Sequence, residues 1–125
     1  MSRGQYFNIP GFEQIYFEDS YVTDIIEEEE KLIFILDAVL QEHHMLYQPP
    51  KPGEQYCYRK AYLVFPALQQ IVWLKRNFVR YTDADGETDY GNIDTFYVED
   101  NTYHLEGDWG IVELSSGTPI IQFDA

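Results

Sequence analysis

Tyr56-Cys57-Tyr58-Arg59-Lys60-Ala61-Tyr62-Leu63-Val64-Phe65 is the stretch on which the fold turns. Tyr56, Tyr58, Lys60, Tyr62 and Val64 fall on one face of an extended chain. Cys57, Arg59, Ala61, Leu63 and Phe65 fall on the other. This period of two predicts a strand. Pro66 stops it, because proline has no N–H to give to a ladder.

The same chemistry repeats outward from this stretch. Downstream lie a short apolar run at 71–74, a marginal one at 78–81 and a polar turn region at 82–92. Runs at 93–98, 102–106, 110–114 and 119–123 follow. Asp100-Asn101, Gly107-Asp108 and Ser116-Gly117 separate them, each with hairpin-turn chemistry. The C-terminal third therefore reads as an antiparallel meander. Upstream, 15–26 alternates through Tyr21, Thr23 and Ile25. Residues 32–36 are apolar throughout, which predicts a strand buried on both faces. A helix over 26–43 competes there, with Glu27 and Lys31 as an i,i+4 pair. The β-branched and aromatic side chains and the missing cap favour the strand. Residues 41–55, with Pro49, Pro50, Pro52 and Gly53, form the longest expected loop. The expected fold is all-β: an antiparallel sandwich or small barrel of about eight short strands in one domain spanning 1–125. The alternative is α+β with one helix at 26–43.

Charge is distributed unevenly. The first 80 residues hold eleven acids and all eight bases; the last 45 hold eleven acids and no Lys or Arg. The net charge of -14 comes with eleven Tyr and eight Phe, so the acidity does not signal disorder. Eight bases against 22 acids argue against nucleic acid, whose phosphates demand Lys and Arg. Anionic membrane surfaces are disfavoured for the same reason. Cys57 is the single cysteine, and the start of the chain lacks the apolar stretch of a signal peptide. A cytoplasmic protein is expected. In size, charge and tyrosine content the chain resembles small acidic bacterial proteins and some immunity proteins that neutralise basic toxins.

Four candidate sites follow from residue chemistry. Asp83, Asp85, Glu87 and Asp89 alternate as oxygen ligands of a calcium loop do, and Asp94 falls at the twelfth position. Thr88 stands where an EF-hand needs glycine, so Ca2+ binding would use a different loop geometry; a solvated acidic connection is the plainer expectation. His43, His44, His104 and Cys57 are the metal-ligating and nucleophilic types present, with no spacing that joins them. Asp108-Trp109, bracketed by Gly107 and Gly110, predicts a tight turn. Its indole either folds back onto the sheet, the favoured expectation, or serves with Asp108 as a partner contact. Carboxylate pairs for hydrolysis are numerous, and that abundance empties the signal. The functional expectation is a non-enzymatic interaction domain, of inhibitor or immunity type, engaging a basic protein. A cation-binding β-domain and a small hydrolase are the alternatives.

Overall fold

A computed structural model describes residues 3–78, 81–82 and 88–124. Its strands in chain order are β1 (Arg3–Gln5), β2 (Ile15–Glu27), β3 (Leu32–Leu40), β4 (Cys57–Phe65), β5 (Gln70–Arg76), β6 (Tyr81–Thr82), β7 (Thr88–Asp89), β8 (Ile93–Glu99), β9 (Thr102–Gly107), β10 (Gly110–Ser115) and β11 (Ile120–Phe123). One sheet has the order β1-β8-β9-β10-β5 and the other β11-β4-β3-β2; all pairings are antiparallel, and β6 and β7 form a small hairpin. The two sheets pack as a sandwich over one hydrophobic core.

The period-two reading of β4 holds: Ala61, Leu63 and Phe65 are buried and Tyr58, Lys60 and Tyr62 point outward. The helix alternative over 26–43 is absent. Glu28 N–H donates to Lys31 O at 2.9 Å and closes a hairpin between β2 and β3, which leaves Glu28, Glu29 and Glu30 in solvent. Burial on both faces of 32–36 is corrected. Leu32, Phe34 and Leu36 are fully buried, but Ile33 and Ile35 are only half-buried, because no element among the described residues packs as a layer over this part of the outer side of β3. The marginal run at 78–81 is also corrected in part. β5 ends at Arg76 and Phe78 lies in a loop, while residues 79–80 fall outside the described set.

The C-terminal meander is correct for β8, β9 and β10 and fails at β11. Ser116-Gly117 is not a hairpin turn; it carries the chain from one sheet to the other. β4 crosses to β5 beside it, so two antiparallel strands bend over the same corner together. Gly117 N–H donates to Pro66 O at 2.7 Å and Gln69 N–H to Ser115 O at 2.8 Å, tying the crossings. At the opposite side β2 reaches the other sheet. Val22 N–H donates to Gly91 O and Tyr90 N–H to Val22 O, at 2.9 and 2.8 Å. The sandwich is therefore laced along both sides.

Aromatic rings fill its interior. Tyr6, Phe12, Phe17, Phe65 and Phe96 form a contiguous cluster with tilted and edge-on contacts at 4.8–6.1 Å, the geometry that ring quadrupoles favour. At the other end Trp109 is fully buried, 5.0 Å from Phe34 and 6.1 Å from Trp73, and its Nε1 donates to Asn92 O at 3.0 Å. Gly107 and Gly110 make this burial possible. A Cβ on Gly107 would collide with Asn92 O and the Trp109 indole, and one on Gly110 (φ 139°) with Lys75 O. Backbone, indole and the neighbouring strand pass too closely for any side chain there. Gly107→Ala is accordingly expected to destabilise the fold by about 1–3 kcal/mol through overpacking, measured as a lowered urea midpoint with an altered near-ultraviolet Trp signal.

Candidate functional site

Alternation places the functional chemistry on the two outer faces. On the β8–β9–β10 face, Tyr97, His104 and Glu113 are aligned by strand register in one row. His104 is 8% exposed, stacked on Tyr97 at 4.7 Å with the planes 15° apart. Its Nδ1 lies 2.9 Å from Glu113 Oε2 and its Nε2 lies 2.8 Å from Glu106 Oε2. The ring thus holds two carboxylates in fixed positions, one at each nitrogen. The cluster is poorly arranged for a metal, since the acids approach opposite ring nitrogens and share no open point. No group of three His, Cys, Asp or Glu among the described residues is placed to hold one.

More acid surrounds this row. Asp94 and Asp108 are exposed and Glu99 is half-buried. Partial burial, then the charges of Asp108, Glu106 and Glu18, push the Asp94 carboxyl above its ordinary range. Val72 and Leu74 of β5, 41% and 58% exposed, border the same face, and Val72 sits opposite Glu113 in register.

The other outer face belongs to tyrosine. β2, β3 and β4 align Tyr16, Val39 and Tyr58 in one row and Tyr21, Asp37 and Lys60 in the next. Tyr58 stacks on Tyr21 with ring centroids 6.0 Å apart. Burial first, then these neighbours, push the Tyr58 phenol up to about 12. β2 carries a bulge between Tyr16 and Tyr21. Ser20 locks it: its Oγ donates to Tyr16 O at 2.8 Å and accepts from Val39 N–H at 2.9 Å. Nothing in the sequence period announces that bulge, which re-aims the residues around it.

The expected sites fare differently. Asp83, Asp85 and Glu87 lie outside the described residues. Asp89 lies within them, and its Oδ1 accepts from Gly91 N–H at 2.8 Å, the short-range turn bond that aspartate favours. Trp109, expected to fold back, does so; its full burial takes it off the surface as a partner contact and leaves Asp108 there alone. His43 is exposed in the 41–56 loop. His44 packs edge-on against Phe123 at 5.1 Å and accepts from Leu46 N–H through Nδ1 at 3.0 Å. Cys57 Sγ accepts from Gln48 N–H at 3.4 Å. None of these reaches His104, whose ring points outward from the other sheet. Sequence reasoning treated His104 as one histidine among three. Its signal was the alternation His104, Glu106 with Glu113 on the next strand, readable only once the register of β9 and β10 is known.

Comparison with known proteins finds no significant match among family models, curated proteins or solved structures. No helix among the described residues is long and apolar enough to cross a membrane.

Asp37 supplies a pH-dependent test of the tyrosine face. Burial raises its carboxyl above the ordinary value, opposed by Lys60. A raised acid favours the folded state when protonated, so this contribution is present at low pH and lost as pH rises through the folded value. Asp37→Asn should therefore melt at a higher temperature than the wild type at pH 7. The gap should close as pH falls toward about 4, where the unfolded carboxyl protonates. Thermal melts of both proteins across pH 3.5–8 check it.

Proposed function

We propose that the protein is a non-enzymatic interaction domain that engages a basic protein partner through the acidic outer face of β8, β9 and β10, in the manner of an inhibitor or immunity protein. The observation that carries this reading is the convergence of Asp94, Glu99, Glu106 and Glu113 on one sheet face whose three strands contain no Lys or Arg. Crowded carboxylates repel one another; after partial burial, the charges of Asp108, Glu106 and Glu18 help to raise the Asp94 carboxyl, and an incoming Lys or Arg relieves that repulsion. Such a field steers association and makes it salt-dependent. His104 fixes Glu106 and Glu113, which lowers the side-chain entropy lost on binding. Val72 and Leu74 add apolar area at the border of the patch.

The test is affinity capture from cell lysate with the wild type and with the double variant Glu106→Gln/Glu113→Gln, which keeps acceptors for His104 and removes two charges. A basic protein should be retained by the wild type at low salt, released at 0.5 M salt where screening is short-ranged (about 4–5 Å), and held weakly or not at all by the variant. Recovery of no basic protein, or equal recovery by both forms, contradicts the reading.

A further inference from the structure

The tyrosine face ends in a cleft whose chemistry is independent of the acidic face. The 41–56 loop folds back on the sheet through turns at His44–Tyr47 and Lys51–Glu54 and through the Gln48 contact to Cys57. Between loop and sheet it leaves an open cleft of about 350 Å³, within the size range of small-ligand sites. Three tyrosines line it: Tyr16 from β2, Tyr47 from the loop and Tyr56 from the approach to β4. Val39 and Leu40 lie beneath. Among the described residues, Glu42 is the one charged residue that lines it, and no Lys or Arg does.

The Ser20-locked bulge connects this cleft to a second carboxylate. Asp19 sits in the bulge, beside Tyr56. The Asp19 charge is the leading cause of a raised Tyr56 phenol. A phenol beside a carboxylate stays neutral, and the electron-rich face of its ring attracts cations. An anion would meet Glu42 and Asp19 with nothing to balance them. A neutral apolar ligand would desolvate Glu42 without compensation. An alkyl cation satisfies both surfaces at once, its carbons on the rings and its charge toward the acids.

We propose that this cleft is a binding site for an organic ammonium head group, supplied either by a free quaternary amine or by a lysine side chain. The site stands whether or not the acidic face binds a protein, because its groups belong to the other sheet.

Tetramethylammonium, Nα-acetyl-lysine methylamide and the neutral Nα-acetyl-norleucine methylamide are titrated into the isotope-labelled full chain and followed by amide chemical shifts. Both cations should shift Tyr16, Tyr47, Tyr56 and their neighbours, and the norleucine compound should not. Tighter binding of tetramethylammonium assigns the free amine as the source; tighter binding of the lysine compound assigns the side chain. Tyr16→Leu keeps the bulk and removes a ring face, and should weaken the cation about two- to five-fold. Tyr56→Phe keeps the ring, cuts the link to Asp19 and should weaken it as well, with the amide spectrum reporting that each variant is folded. Equal binding of norleucine and lysine compounds, or no shift at the three tyrosines at saturation, overturns the proposal.

Discussion

The turn that joins β9 to β10 brings its backbone against Asn92 and Lys75 so closely that only glycine fits at Gly107 and Gly110, and much of the sandwich depends on that approach. It tucks the Trp109 indole between the sheets, against Phe34 on one side and Trp73 on the other. The indole N–H then satisfies Asn92 O, which a buried carbonyl needs. Asn92 in turn donates from its side chain to Glu18 O at 2.7 Å and bridges to Tyr21, so the same residue laces β8 to β2. Asn77 N–H donates to Trp109 O at 2.8 Å and holds the end of β5. One buried ring thus reaches both sheets and one of the two laced sides.

With the core settled inward, alternation leaves each sheet an outer face of contrasting character. β8, β9 and β10 send carboxylates outward around a single imidazole. β2, β3 and β4 send out phenols, with Asp37 and Lys60 among them. The acids of β8, β9 and β10 therefore form part of the surface of a folded sheet. Both faces present groups suited to positive charge, one as a broad patch and one as a cleft. They do so by different physics: Coulomb attraction toward crowded carboxylates on the first, ring quadrupoles backed by carboxylates on the second.

The strands themselves were legible because buried and outer residues alternate along most of β4 and β10, and turn residues mark the breaks. The helix-or-strand question at 26–43 was decided by Ile33, Phe34 and Ile35, whose shapes suit a pleated sheet. What stayed hidden was non-local. Ser116-Gly117 has the same turn chemistry whether it closes a hairpin or crosses between sheets, so the position of β11 beside β4 could not be read. The bulge at Ser20 interrupts a period without a glycine or proline to mark it, so Asp19 and Tyr56 could not be brought together on paper. His104, Glu106 and Glu113 needed the β9–β10 register. Trp109 was legible as a turn residue that folds back, although its chemistry alone also fitted a partner contact.

The central claim is that the Asp108–Trp109 turn is part of the core and that binding chemistry lies on the outer faces. Tryptophan fluorescence of a Trp73→Phe variant isolates the one indole on which this rests. The account predicts blue-shifted emission that acrylamide quenches poorly in the native protein and readily after unfolding in urea. Red-shifted, easily quenched emission from the native variant would place Trp109 in solvent and contradict it.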